Sequence, residues 1–419
     1  MKSNLSKRKG IINEKTLIAT IDFGKTKNVG YCRCPDGTEL SSMEFTNTGE
    51  GFKKFWSKVS WMQSSHSLDE VVVGFESTGP YAEPMMHFLK KRGVRLVQVN
   101  CAHTRRVKEI YDNSPNKTDD KDPKVIADLI ELGRFLSVVI PEGVIAELRR
   151  LSHTRERHQE RRKTLYNQLH DAVYLVFPEF LSVMKDLESR SSHHLLHNYP
   201  TPETILMLGL DGLTEVLRRV SHGRLGRERA EALYGLAQNS VGLQDGQDSI
   251  VDEIKQILCL IAHCDEFIEA IEQKMAFYLE KVPYSHLIVS IKGIGVVTVS
   301  GLIGEVGDFS KFKTISELLK YAGLNLFEIS SGKQKGRRRI SKRGRPLIRK
   351  LLYFAALNVV RKDGILHQQY QTYLDNGMVK LKALVAICRK LLGIIFALVR
   401  NHCEYVTDYS NTQLLRQAA

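Results

Sequence analysis

Cysteines paired at metal-binding spacing are missing from this chain. Its seven cysteines include no Cys-X-X-Cys pair: Cys32 and Cys34 lie two apart, Cys259 and Cys264 five apart, and the others are scattered. That pattern fits neither a zinc ribbon nor a disulfide framework, and a reducing cytosol is the expected setting. A secretion signal is also missing. The basic start, MKSNLSKRKG, leads into a strand-like LIATID run and not into an apolar segment with a small-residue cleavage site. No uncharged apolar run is long. Residues 381–399 are interrupted by Lys382, Arg389 and Lys390, leaving 391–399 as the longest uncharged piece, far below the roughly 20 residues of a membrane span. An amphipathic helix is expected there, and no membrane partner. Long internal repeats and low-complexity tracts are missing too, apart from one basic loop.

Acidic residues are in deficit. Asp and Glu number 47 against 61 Lys and Arg, for a formal charge of +14. The surplus favours a polyanionic partner such as nucleic acid, although a ribosomal or membrane-surface protein would share it. At 419 residues, 42% of them hydrophobic, the chain exceeds one compact domain, and two or three are expected.

From residue 17 to about 134, β-rich runs alternate with helical ones: LIATID, VGYCRC, ELSSMEF, a helix near 51–62, VVVGFES, a helix near 83–92, and VRLVQV. Three early strands suit an antiparallel meander and the later strand–helix–strand order suits parallel crossovers, so a mixed sheet in ribonuclease-H-like order is expected. Residues 141–188 turn helical and highly charged, with Leu148, Leu151, Leu165, Leu169 and Val173 at helical spacing. They predict a long projecting or coiled-coil helix, or alternatively a solvated helix packed on its own domain. Residues 200–280 read as further helices with polar loops near 221–227 and 238–248. After Pro283 the chain becomes glycine-punctuated and apolar, then runs through a helix near 315–321, a basic loop, and a helix over 347–361. The expected layout is an α/β domain over 1–140, a helical middle over 141–282 that also serves multimerisation, a mainly helical domain over 283–375, and a final helix and tail over 376–419.

Chemistry concentrates in two places. Asp22 ends the first strand before Phe23 and Gly24, and Glu76 ends the fourth. Carboxylates at the ends of adjacent strands, joined by one or two from a later helix, can hold Mg²⁺ ions about 4 Å apart for in-line attack on a phosphodiester. The later candidates are Asp119 and Asp122 in KTDDKD, three apart and so on one helix face. Pro123 opens a second reading of Asp122, as the N-cap of a helix over 123–135. Asp120 and Asp128 are the substitutes if the register differs.

The second place is C-terminal. IKGIG at 291–295 carries Gly293 and Gly295 in a form that suits the hairpin of a helix-hairpin-helix unit, with backbone N–H groups turned to a phosphate, or equally a plain turn between two packed helices. Ten of the eighteen residues from 333 to 350 are Lys or Arg, a density expected to meet phosphates. The candidate nucleic-acid contacts are Lys333, Lys335, Arg337, Arg338, Arg339, Lys342, Arg343 and Arg345. Just upstream, Ser330-Ser331-Gly332 offers hydroxyls beside those cations, a setting in which a serine can attack a phosphodiester.

These blocks resemble the DEDD-type insertion-sequence transposases, whose N-terminal domain is similar to the RuvC Holliday-junction resolvase. The matching residues are Asp22 in IDFGK, Glu76 in FESTG, the pair in KTDDKD, and SSGKQKGRRRISKRGRPLIRKLL. Pro123 departs from the small residue that usually follows the last aspartate. The resemblance implies a bacterial cytosolic or nucleoid recombinase with a Mg²⁺-dependent RuvC-like domain, Mn²⁺ being a possible substitute. It favours Ser331 as nucleophile, with Ser330 second and Ser341 third. It further implies a composite site of carboxylates and serine from different subunits of a homo-oligomer, dimer or tetramer. The implied partners are double-stranded donor and target DNA and a structured guide RNA. Two other readings stand beside it: a RuvC-like resolvase without a covalent intermediate, and a non-catalytic nucleic-acid-binding protein.

Overall fold

The computed structural model describes residues 12–76, 79–112, 121–328, 336 and 338–406. Two compact units divide at Ile140 and Pro141.

The first unit is built on a six-stranded mixed sheet in the order β3-β2-β1-β4-β5-β6. Strands β1 (Thr16–Phe23), β2 (Lys27–Arg33) and β3 (Glu39–Thr46) form the expected antiparallel meander. Helix α1 (Gly49–Ser65) leads to β4 (Glu70–Glu76), helix α2 (Glu83–Lys90) to β5 (Arg95–Val99), and both strands run parallel to β1 or to each other. Helices α3 (Cys101–Asp112) and α4 (Lys121–Glu131) precede the short antiparallel edge strand β6 (Leu136–Ser137).

Strand β1 is central and reads almost wholly apolar because both of its faces are covered. Leu17, Ala19 and Ile21 face a core with Phe52, Phe55, Val59 and Met62 of α1 and Met85 and Leu89 of α2. Ile18 faces the opposite core, with Val72, Val97, Val99 and residues Val125, Ile126, Leu129 and Ile130 of α4. Gly74 in β4 sets how closely α4 approaches: a Cβ there would stand 2.1 Å from Ile130 Cδ1.

Helix α5 (Gly143–Val176) opens the second unit and extends about 51 Å at 1.5 Å per residue. Its partner lies in the same chain. Helices α6 (Arg190–Asn198), α7 (Pro202–Val220) and α8 (Arg227–Ala237) lead to α9 (Gln247–Glu280), which returns antiparallel along α5. Apolar packing concentrates at the two ends of this pair, Leu169 to Ile261 at one and Leu148 with Leu279 at the other. Between them Arg155 Nε donates to Glu272 Oε1 at 2.7 Å and Arg162 Nε to Asp265 Oδ1 at 2.6 Å. The charged middle of α5, where the apolar stripe thins, is thus an ion-paired seam.

Beyond α9 come α10 (Val296–Val306), α11 (Ile315–Tyr321), a two-stranded ribbon of β7 (Leu326–Phe327) and β8 (Arg339–Ile340), α12 (Pro346–Val359), α13 (His367–Asp375) and α14 (Lys380–Asn401). The last helix is amphipathic, and its Ile387, Leu391 and Ile395 enter the same core as Val299, Ile303 and Leu352. Among the described residues no helix is long and apolar enough to cross a membrane.

Candidate active site

Parallel pairing brings Ile21 of β1 opposite Phe75 of β4. Continuing that register by one residue sets Asp22 beside Glu76, on strands about 4.8 Å apart. Strand alternation fixes the face. Thr20 and Gly74 point toward α4, so Asp22 and Glu76, two residues further on, emerge on that same side; both are half-buried. The start of α4 is seated there by a buried hydrogen bond, Thr20 Oγ1 donating to the Pro123 carbonyl at 2.7 Å. Asp122, 8% exposed, precedes that proline. Asp22, Glu76 and Asp122 therefore share one corner of the sheet.

Helix α4 already includes Lys121, so Asp122 lies inside its first turn and not at an N-cap before Pro123. The helix also stops at Glu131, short of 135. Gly133, with φ +69°, donates to Ile130 O at 2.9 Å and Arg134 to Leu129 O at 2.8 Å, a left-handed C-terminal turn.

Asp128 belongs elsewhere. Arg33 Nη1 donates to its Oδ1 at 2.6 Å, and Arg33 pairs across from Ile18, about 13 Å down β1 from Asp22 at 3.3 Å per residue. Asp119 and Asp120 lie outside the described residues. Among those described, no three His, Cys, Asp or Glu side chains come close enough to hold a metal ion. The donors at the corner are all carboxylate oxygens, the type a hard divalent cation takes.

In the second unit, a short helix (Ser285–Val289) and α10 flank the glycine hairpin. Gly293 has φ +99°, a conformation that side chains disfavour, and Gly295 is the extended N-cap of α10 with no side-chain cap. The first N–H groups of α10 are thus placed to meet an anion.

In sequence the basic segment begins between β7 and β8 and runs on into α12; the two strands pair with Leu326 opposite Ile340 and Phe327 opposite Arg339. Ser330, Ser331, Gly332, Lys333, Lys335 and Arg337 lie outside the described residues. Arg339, Lys342 and Arg343 are exposed. Arg338 Nε donates to Glu328 Oε2 at 2.9 Å. Arg345 turns inward, its guanidinium 5.6 Å from the Tyr321 ring centroid. The ribbon root is held by backbone bonds to the end of α11: Ser341 N to Asn325 O at 2.8 Å, Lys342 N to Gly323 O at 3.0 Å and Arg345 N to Tyr321 O at 3.0 Å. Ser341 sits in this root, its Oγ accepting from Arg343 N at 3.4 Å.

One acidic residue passed unnoticed in the sequence. Glu305 of α10 is 1% exposed. His153 Nε2 donates to its Oε1 at 2.7 Å, with Arg149 Nε at 3.5 Å from the same oxygen and Arg345 Nη1 at 3.9 Å from Oε2. Burial pushes the Glu305 carboxyl upward, but the His153 hydrogen bond and the two arginine charges outweigh it and hold the group below its usual range. A lone Glu within the apolar run GLIGEVG was the available signal.

A transposase family model matches residues 19–178, and the model described as Transposase IS116/IS110/IS902 family matches 285–371, together more than half of the chain. An uncharacterized 43.6 kDa protein of insertion element IS110 from Streptomyces coelicolor is 21% identical, over 92% of this chain and 94% of that protein. An uncharacterized 44.8 kDa protein of insertion element IS116 from Streptomyces clavuligerus is 23% identical, over 91% and 94%. An uncharacterized 42 kDa protein of insertion element IS900 from Mycobacterium paratuberculosis is 24% identical, over 92% and 96%. With the mixed sheet, its carboxylate corner and the basic ribbon, these matches lead to one conclusion: the chain belongs to the IS116/IS110/IS902 family of transposases, enzymes that cleave DNA and transfer its strands.

Proposed function

We propose that this transposase cuts and rejoins donor and target DNA with Mg²⁺ held by Asp22, Glu76, Asp119 and Asp122 and with Ser331 as nucleophile. The observation that carries the reading is that Asp22 and Glu76 follow directly on the paired Ile21 and Phe75 at the ends of parallel strands, with the start of α4 seated beside them. Bound Mg²⁺, or Mn²⁺ in its place, would stabilise the charge that builds on the attacked phosphate. Ser331 Oγ gives up its proton as it bonds to phosphorus, and the displaced DNA oxygen takes a proton as it leaves. The serine–phosphate ester keeps the bond for rejoining, when a DNA hydroxyl attacks the same phosphorus and releases the serine. Arg339, Lys342 and Arg343 bind flanking phosphates, and the amide groups at the start of α10 add a further anion contact.

A guide RNA and a dimer or tetramer that joins carboxylates and serine from different subunits belong to the same proposal. They are supported by the resemblance of the blocks quoted above and by the positive charge of the chain. The test is recombination in cells on the element's own flanking DNA, with wild type, Asp22→Ala, Glu76→Ala and Ser331→Ala. All three variants lose recombination while still folding and binding nucleic acid. A Ser331→Ala protein that cleaves without rejoining would make the enzyme a resolvase-type nuclease. One that recombines normally removes the serine, and activity in Asp22→Ala removes the metal site.

A further inference from the structure

We propose that Glu305 is a positioning residue for the root of the β7–β8 ribbon, between whose strands Ser331 falls in the sequence: it gathers Arg345 from the ribbon root and Arg149 and His153 from α5 into one cluster, and so fixes where the root stands on α5. This rests on the reading of Ser331 as nucleophile.

The geometry supports it from three sides. First, the contact between α5 and α10 is close beneath the cluster, because Gly304 lets the helices touch: a Cβ there would stand 2.6 Å from Arg149 N. Second, Tyr321 ties the ribbon root to α10. Its hydroxyl donates to the Glu305 carbonyl at 3.0 Å, its own carbonyl accepts from Arg345 N, and its ring lies under the Arg345 guanidinium. Third, a second ion pair links the same two segments further along, where Lys350 at the start of α12 meets Glu156 and, at 3.4 Å, Glu160 of α5.

Packing alone does not call for a carboxylate here. The neighbours of Glu305 in α10, Leu302, Ile303 and Val306, are buried apolar side chains, and an isolated carboxylate in such a setting is unfavourable. What the carboxylate adds is the capacity to hold cations from α5 and the ribbon root together when they would otherwise repel. Without it, Arg345 and Arg149 lose the carboxylate they share, and the root loses its electrostatic tie to α5.

The test uses the full-length protein and the variants Glu305→Gln, Arg345→Gln and the double variant. Arg345 is half-exposed, so its variant reports on the tie even where Glu305→Gln folds poorly. Recombination is expected to fall roughly a hundredfold in each single variant, the scale of a small misplacement of a reacting group. The double variant is expected to be no worse than the more impaired single one, while Glu305→Gln leaves affinity for nucleic acid little changed. Trypsin cleavage after Lys342 or Arg343, mapped by mass spectrometry without nucleic acid, is expected to speed up in all three. Losses that multiply in the double variant, or an unchanged trypsin pattern in Arg345→Gln, would overturn the proposal and leave Arg345 as a phosphate contact. The trypsin readout does not involve the nucleophile. If Ser331→Ala recombines normally while the cleavage pattern still responds to Glu305 and Arg345, the serine assignment fails and the tie stands.

Discussion

Thr20→Val removes one hydrogen bond and almost no volume. The lost bond, Thr20 Oγ1 to the Pro123 carbonyl at 2.7 Å, is buried between the central strand and the first turn of α4. Such a bond contributes about 0.5–1.5 kcal/mol net, and a loss near 1 kcal/mol shifts a local equilibrium roughly fivefold. The Pro123 carbonyl also lies in the first turn of a helix, where it accepts an intrahelical bond, so the substitution leaves no orphaned acceptor. Global stability should therefore fall only by about 1 kcal/mol. Function should fall further. The bond seats the residue next to Asp122 against the strand that carries Asp22, and misplacing a catalytic group by about 1 Å costs up to a hundredfold in rate. The expected result is recombination down about tenfold or more, a slightly lower unfolding midpoint, and restored activity in Thr20→Ser, which keeps the hydroxyl. Recombination at the wild-type level in Thr20→Val, alongside a dead Asp122→Asn, would refute the seating argument.

Asp122→Asn should abolish recombination with little change in unfolding, whereas Asp128→Asn should lower the unfolding midpoint through its half-buried pair with Arg33 and leave recombination measurable. Gly304→Ala gains about 1 kcal/mol in helix propensity but drives a methyl into backbone atoms of Arg149. Overpacking of about 1–3 kcal/mol should win, seen as a lower urea midpoint. Burial pushes the Cys32 thiol from its ordinary 9.0 up to about 12, with Cys34 adding to the shift, and burial alone raises Cys388 to about 12. In native protein at pH 8, iodoacetamide should modify exposed Cys259 and spare both buried thiols, as read by mass spectrometry. Because these pKa values are raised by folding, the stability they carry is intact below pH 9. It declines from there toward pH 12, where the unfolded thiols ionise and the folded ones do not; thermal melts from pH 8 to 10.5 should show the fall.

Much of this fold was legible because local patterns agreed with tertiary demands. The run LIATID is apolar but for Thr20 and Asp22, and the structure covers that strand on both faces; a helix read to 135 runs past the true end of α4, because that reading leaves the turn at Gly133 out of account. The placement of Asp22 and Glu76 followed from strand ends alone. Asp122 was harder, since the preference of a proline for the first helical turn fits several starting points, and the contact that seats Pro123 comes from Thr20, 103 residues away. The charged middle of α5 was ambiguous for a related reason. Its stripe reads as solvated until Glu272 and Asp265 arrive from a helix more than a hundred residues on. Glu305 was hidden by its surroundings, since an acidic residue in an apolar run becomes informative only when its cations are known. Arg345 read as a phosphate contact, and nothing in the sequence signalled that its backbone is bonded to Tyr321 or that its guanidinium lies 3.9 Å from a buried carboxylate.

The ion-paired seam between α5 and α9 constrains how such a chain can change in length. Arg155 meets Glu272 and Arg162 meets Asp265, so the two helices are indexed against each other like the rails of a track. An insertion in one rail alone would carry each arginine past its acid and pull one end cluster out of register. Length variants of this arm should therefore arise as matched insertions or deletions in both helices, in steps that keep the same helix face inward, and a relative with a longer first rail should carry a longer second one.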